Sequence, residues 1–308
     1  MLTKSVLLVI IFSLFTVAAK AQDFVSTVRA TLDGYGIPAA QAVLKQYRDA
    51  RGVTPEYLEA YSWLGRKSLS QKDYASAERY AKQTYEMVGA ELKHQALDAE
   101  PHLPIALGAA IEVLGLARAE QGDRAEAVAY LLSEEKKYAE TSIAPRIQKN
   151  INLISLEGKP APALIEVEHL GPKPLPLSAY KGKPVILFFW AHWCVDCKAQ
   201  GPILARLKAE YGDRLALVGP TQRFGFAGAG EPTSPADELK YIDDVRTKYY
   251  SRLADMPVPV SKENFRHYGA STTPTLVLVG ADGKVKLYHP GRMTYEELKA
   301  ELDRLMAK

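Results

Sequence analysis

From Gln22 to about Leu156 apolar residues recur at three- and four-residue spacing in a stretch rich in Ala, Leu, Glu, Lys and Arg, the period of a helix. No strand-like alternation interrupts it. Between Gly158 and Pro184 the pattern breaks: prolines at 160, 162, 172, 174, 176 and 184 stop helices and favour extended or turn conformations, so a domain boundary is expected near 155–162. Beyond it, "ALIEV" (163–167) and "PLPLS" (174–178) predict a short β-hairpin. "PVILFFW" (184–190) predicts a strand buried on both faces. A helix follows with Ile203, Leu204, Leu207 and Tyr211 on one stripe, then a second buried strand, "LALVG" (215–219). After a Gly/Pro/Ser-rich loop (221–236) come a helix from about Pro235 to Ala254 capped by Ser234, and a hairpin of "TLVLVG" and "KVKLYHP" around Asp282-Gly283. Thr294 and Glu297 make a capping box for a last helix with Leu298, Leu302 and Leu305 inward. The expected order in this half is hairpin, β, α, β, α, β, β, α.

Within the helical half, Tyr61, Leu64, Gly65, Asp73, Tyr74 and Ala77 are echoed about fifty residues on by Leu114, Gly115, Gly122, Asp123, Ala127 and Leu131. Leu-Gly in one helix, a polar turn and a small Ala in the next give a tetratricopeptide-like pattern, although the period exceeds the usual ~34 residues because "DAEPHLP" (98–104) intervenes. The same residues also read as ordinary helix-packing choices. If they form a repeat, its concave face would bind a partner segment or mediate dimerisation.

At the N-terminus, Val6 to Ala18 is almost wholly apolar, follows Lys4 and ends in Ala19-Lys20-Ala21, a small-x-small site. Residues 1–21 are therefore read as a signal peptide, 22–156 as an all-α tetratricopeptide-like domain and 157–308 as an α/β domain. About 13 apolar residues are fewer than the ~20 a spanning helix needs, so no stable membrane insertion is expected after cleavage. The remaining bulk properties, 47% hydrophobic and 24% charged, are those of globular protein. Removing Lys4 and Lys20 lowers the formal charge from +3 to +1, and charges of both signs are interspersed, which gives no footprint for nucleic acid. A periplasmic or otherwise extracytoplasmic location would let a disulfide persist.

Both cysteines of the chain lie in "FFWAHWCVDCKAQGP" (188–202). A structural staple, half of a metal site, a reactive dithiol and coincidence all need weighing. A staple is weak, because stabilisation by a crosslink grows with loop length and this loop is minimal. As a zinc or copper site the pair supplies two of the usual four ligands, so no metal is expected.

Trp193-Cys194-Val195-Asp196-Cys197 after a buried strand, Pro202 five residues past the second cysteine, and Thr273-Pro274 before the next hairpin together resemble thioredoxin. More closely, "LEGKPAPAL", "LSAYKGKPVILFFWAHWC" and "YGASTTPTLVLVGADGKV" resemble the exported TlpA/ResA-type thiol-disulfide oxidoreductases, over roughly residues 156–308. The resemblance implies a thioredoxin-like α/β domain with a central mixed sheet flanked by helices. It implies a redox-active Cys194–Cys197 disulfide with no other cofactor, and a substrate groove formed by Trp193, Thr273 and a cis Pro274. It implies protein disulfides as clients, reduction as the direction, and an external, membrane-bound dithiol as electron donor, since the chain has no third cysteine. Chemically, Cys194 in the first turn of a helix would meet free N–H groups and the positive end of the dipole, which lowers a thiol pKa from about 8.5 toward ~7 or below. Cys197, one turn inside, would resolve the mixed disulfide.

Two positions depart from the pattern. Phe188 stands where thioredoxins keep a buried Asp, and Gln200 where many TlpA/ResA-type proteins carry Glu, so neither familiar proton acceptor is present. Asp196 and His192 are the candidate modulators of the cysteine pKa. Asp196 is expected to raise that of Cys194 by like-charge repulsion. His192 is read as a solvated position before Trp193 in preference to a proton or metal holder, and Arg223 as a surface residue in preference to a groove wall. "GFAGAG" lacks the spacing of a phosphate loop. A second function class, a partner-binding helical-repeat module on a redox-poor thioredoxin-like platform, stays open.

Overall fold

The computed structural model describes residues 23–166 and 168–307, and the signal peptide read at 1–21 lies outside them. Six helices come first: α1 (Phe24–Arg51), α2 (Pro55–Ser70), α3 (Tyr74–Glu91), α4 (His102–Glu120), α5 (Arg124–Lys137) and α6 (Ala144–Ser155). Side chains start three of them, Asp23 accepting from Ser26 N, Thr54 from Tyr57 N and Asp73 from Ser76 N, each satisfying a donor the first turn leaves unpaired.

The Leu-Gly and Ala positions lie where paired helices touch. At Gly65 a methyl group would stand 3.5 Å from Ala77 O, and at Gly115 it would stand 2.7 Å from Leu131, so each glycine admits the next helix closely. Ala77 and Ala127 are fully buried at the matching points of α3 and α5. The central helix, α4, is long and apolar enough in composition to cross a membrane, but it packs against α2, α3, α5 and α6 as the core of this half. Its Leu107 and Ile111 pack with Leu58, Leu64, Leu131 and Ile147, and each such side chain removed from water contributes about 1.5–3 kcal/mol. On the α6 side of α4, Glu112 accepts hydrogen bonds from Arg146 Nε (3.0 Å), Lys149 Nζ (2.8 Å) and Asn150 Nδ2 (3.3 Å). Burial pushes its carboxyl pKa up, but the two cations outweigh burial and bring it down to about 2.

The second half contains β1 (His169–Leu170), β2 (Val185–Phe189), α7 (Val195–Tyr211), β3 (Ala216–Val218), β4 (Phe226–Ala227), β5 (Glu231–Pro232), α8 (Pro235–Tyr249), β6 (Val258–Pro259), α9 (Lys262–His267), β7 (Thr275–Val279), β8 (Val285–Pro290) and α10 (Tyr295–Met306). Its main sheet has the order β3-β2-β7-β8, with β2 and β3 parallel and the other pairs antiparallel. All five residues of β2 and of β7 are buried. Ile186, Phe188, Leu276 and Leu278 pack with residues of α7, α8 and α10 on one face. Val185, Leu187, Phe189, Val277 and Val279 pack with Phe265, Tyr268 and Leu156 on the other. This is the thioredoxin-like mixed sheet between helices, and the unbroken apolar run of β2 follows from having two covered faces. Thr294 and Glu297 form the expected capping box of α10.

The hairpin expected from 163–167 and 174–178 does not form. Among the described residues, 163–166 carry no strand, Leu177–Tyr180 is a short 3-10 turn, and β1 pairs instead with β6, antiparallel. Prolines at 172, 174 and 176 explain this: alternate residues along one edge of the would-be strand lack an N–H. The connector joins the sheet elsewhere. Gly158 N donates to Val285 O (2.8 Å), Val285 N to Lys159 O (2.9 Å) and Ala161 N to Gly283 O (3.0 Å), so residues 158–161 run along the outer side of β8. The helix after Ser234 ends at Tyr249, and Ser251–Leu253 is a 3-10 turn, slightly short of the expected span. The small strands β4, β5 and β6 and the helix α9 were not expected.

The halves are in contact through α6. Asn152 Nδ2 donates to His267 O (3.4 Å), and Gly269, with φ +56°, lies so close to α6 that a methyl group there would stand 2.2 Å from Lys149 N. Only glycine fits both the left-handed conformation and that approach.

Candidate active site

β2 carries the chain to the edge of its own core and releases it at Trp190, whose indole donates to Gly219 O (2.9 Å) while Thr221 Oγ1 donates to Trp190 O (2.8 Å). Four residues later Cys194, with extended backbone dihedrals, is the N-cap of α7. Its Sγ accepts from Cys197 N at 3.0 Å, one of the donors a helix start leaves free. The two sulfurs are joined as a disulfide, with Cα atoms 5.3 Å apart. Cys197 is fully buried, whereas Cys194 keeps 4% of its surface. Reagents therefore approach Cys194 first.

Thr273 and Pro274, about 80 residues away in sequence, lie beside it. Cys194 Sγ is 3.3 Å from Thr273 O, and the Thr273–Pro274 peptide bond is cis. Thr275 Oγ1 donates to Thr272 O (2.7 Å) and Gly291 N to Pro274 O (2.7 Å), which holds this loop where β7 begins. Trp193 is 47% exposed and meets Phe224 edge to face at 5.7 Å, so it is a surface feature next to the dithiol and not core filling. The structure thus brings Trp193, Cys194, Cys197, Thr273 and Pro274 into one place.

His192 corrects the sequence reading. It is fully buried, not solvated, and its ring is enclosed edge-on by Phe224 (5.4 Å), Phe226 (5.1 Å) and Tyr241 (5.4 Å). Its Nε2 is 3.5 Å from Glu238 Oε1, yet neither ring nitrogen makes a hydrogen bond. Burial lowers its pKa, only partly opposed by the Glu238 carboxylate. Glu238, in the first turn of α8, is itself buried and accepts from Phe224 N and from Gly225 N (3.0 Å). The Gly-rich insertion folds back over the motif and supplies Phe224 and Phe226, while α8 supplies Tyr241, the rings that enclose this pair.

Asp196 is exposed and pairs with Arg292 (3.4 Å), so its charge is offset by a cation on the loop before α10. Gln200 is buried; its Oε1 accepts from Met293 N (3.0 Å) and its Nε2 has no partner. Phe188 is buried edge-on to Tyr250 (5.6 Å), whose hydroxyl has no partner and whose pKa burial raises. Phe188 and Gln200 thus put an apolar and a neutral group at these two positions. Arg223 is neither a free surface residue nor a groove wall: both its terminal nitrogens bond Glu168 (2.5 and 2.6 Å) and its Nε donates to Pro235 O (2.9 Å), which fastens the insertion to the chain before β1. Glu238 and Arg292 were missed. An acid in the first turn after a Ser cap is so ordinary that nothing marks Glu238 as the partner of a histidine 46 residues away. No group of three or more His, Cys, Asp or Glu side chains among the described residues is arranged to hold a metal.

A strand ending in a dithiol at a helix start, faced by a cis-proline loop, defines a thioredoxin-like redox protein. A family model described as a thioredoxin-like domain matches residues 177–306. A thiol-disulfide oxidoreductase ResA from Bacillus thuringiensis subsp. konkukian is 30% identical over 152 residues, covering 48% of this chain and 78% of that protein. The thioredoxin-like protein YneN of Bacillus subtilis is 29% identical over 148 residues, covering 48% and 79%. Among solved structures, an exposed lipoprotein thioredoxin of Streptococcus pneumoniae is 30% identical, covering 46% of this chain and all of that one, with a TM-score of 0.37. The chain belongs to the ResA-type thiol-disulfide oxidoreductases of the thioredoxin-like family.

Proposed function

We propose that the protein is an extracytoplasmic reductase of protein disulfides. The Cys194 thiolate attacks one sulfur of a client disulfide and displaces the other as a thiolate, forming a mixed disulfide. The Cys197 thiolate then attacks Cys194 Sγ, which releases the client as a dithiol and leaves the Cys194–Cys197 disulfide. Two electrons pass to the client at each turnover, and an external dithiol returns them. The observation that carries this reading is the asymmetry of the pair: Cys194 caps α7, touches the cis-proline loop and keeps some surface, while Cys197 is one turn deeper and fully buried.

Backbone donors at the start of α7 favour the Cys194 anion, and Trp193 gives it an apolar flank. Export is supported by the apolar run and the small-x-small site at residues 1–21. Insulin reduction tests the reading. Cys194→Ser is expected to abolish turnover, and Cys197→Ala to accumulate a mixed disulfide with the client. Turnover that survives Cys194→Ser would instead favour the binding-module class, with the redox half as a platform.

A further inference from the structure

We propose that the helical half forms the far wall of the client groove: the turn after α5 and the start of α6 (residues 139–145), with Arg266 of α9, selects an extended polypeptide carrying an apolar side chain next to its disulfide. This deepens the reading above and rests on it.

The groove itself is the first observation. A cavity of about 610 Å³ opens beside Trp193 and Thr273 and is closed on its opposite side by residues 139–145. Its floor is aromatic: Trp193, Phe224 and Phe265 follow one another edge to face at 5.7 and 6.2 Å. A small disulfide needs only Cys194 and the cis-proline loop, and would leave the rest of that floor wet. A polypeptide lying along it buries apolar surface at about 25 cal/mol per Å². Thr273 N has no hydrogen-bond partner among the described residues, and Thr273 Oγ1, shielded from solvent, also lacks one. An added extended strand would pair with the free N–H, the usual way a backbone edge recruits a peptide.

The second observation is that the wall is fixed relative to the dithiol. The chain leading into Thr273–Pro274 is clamped at residues 268–269, where Tyr288 Oη donates to Tyr268 O (2.7 Å) and the backbone of α6 fills the space a side chain on Gly269 would need. Across the rim, Glu140 of the turn faces Arg266 at 4.0 Å, and Lys262 lines the same side. Helical turn and cis-proline loop are therefore two sides of one rigid slot. The acidic and basic groups at its mouth are exposed, so they act on flanking charges of the client and not on the chemistry at sulfur.

The test uses the full chain and two probes: a disulfide-linked extended peptide with Leu beside the cysteine, and the small disulfide 5,5′-dithiobis(2-nitrobenzoate). The readout is the ratio of kcat/KM on the peptide to kcat/KM on the small disulfide. Ala139→Trp, at a half-buried position on the wall, is expected to lower that ratio about tenfold, corresponding to ~1.4 kcal/mol of lost contact. Glu140→Arg, at an exposed site, makes the mouth more cationic, leaving Glu263 as its remaining carboxylate beside Lys262 and Arg266. It is expected to lower the ratio for a Lys-flanked peptide and raise it for an Asp-flanked one, the difference shrinking with salt. An unchanged ratio in both variants overturns the wall, whether the groove then stands empty or holds a second copy of the chain. Wild-type protein inert on both probes overturns the dithiol reading itself, a result distinguishable by the small disulfide alone.

Discussion

Each half of the molecule buries a carboxylate against a base, and the two are treated differently. In the helical half, Glu112 receives three donors from α6. In the redox half, His192 and Glu238 are more deeply buried, 3.5 Å apart, and both ring nitrogens go without a partner. A satisfied buried charge cluster fixes how α4 and α6 meet. An unsatisfied one costs stability where it stands, and such groups in native proteins call for a reason beyond packing. Here that group lies two residues before Cys194, so the difference separates a fully partnered charge cluster that holds the architecture from an unpartnered imidazole near the dithiol in sequence.

The comparison breaks most severely at Glu112. Glu112→Ala leaves Arg146 and Lys149 facing each other without their carboxylate, and is expected to cost about 3 kcal/mol or more in urea unfolding. A loss below ~1 kcal/mol would put the cluster among surface pairs of little consequence.

Acid sharpens the same contrast in the wild type. With its pKa at about 2 in the folded chain against 4.5 ordinarily, Glu112 contributes stability that is fully present above pH 4.5 and is lost as pH falls toward 2. The shift corresponds to roughly 3 kcal/mol, and the slope of stability against pH in that window is expected to flatten in Glu112→Ala.

His192 is expected to behave the opposite way. His192→Phe removes two unpartnered ring nitrogens from an aromatic enclosure, so the thermal midpoint at neutral pH should hold or rise, within about 1 kcal/mol. Because the folded-state pKa of His192 is lowered, the unfolded chain takes up the proton first, and wild-type stability declines as pH falls below 6.5. The Phe variant should be spared that decline. A variant clearly less stable than wild type at pH 5.5 would show that the imidazole stabilises the fold after all.

The smallest effect is expected at Asp196. Since Arg292 offsets it and both side chains are exposed, Asp196→Asn should lower the Cys194 pKa, read from alkylation rate against pH, by no more than about half a unit. A fall of more than ~1 unit would mean that the carboxylate acts on the sulfur more strongly than its pairing with Arg292 allows.

The helices of the first half were legible because their apolar residues keep one period over long spans, and the Leu-Gly and Ala positions marked where pairs of them touch. β2, β7 and β8 were legible as apolar runs bounded by turn residues, and the dithiol because both cysteines share one motif. What escaped was short or remote. α9 has six residues and β6 two, below the length at which a period can be read. The hairpin does not form because prolines 172, 174 and 176 remove backbone donors, a loss that the alternation of apolar residues does not show. The burial of His192 depends on Phe224, Phe226, Glu238 and Tyr241, 32 to 49 positions downstream, and no local pattern announces a lid that arrives so late in the chain.

The connector at 158–161 has a practical outcome for anyone wishing to isolate the redox half. Leu156 belongs to the core under β2, and the three backbone bonds that follow occupy the outer margin of β8. A fragment begun past residue 161 would bare a row of hungry amides and carbonyls, a template on which neighbouring molecules can stack. Clumping of such a fragment would report on where it was cut, and would say nothing against the integrity of its dithiol.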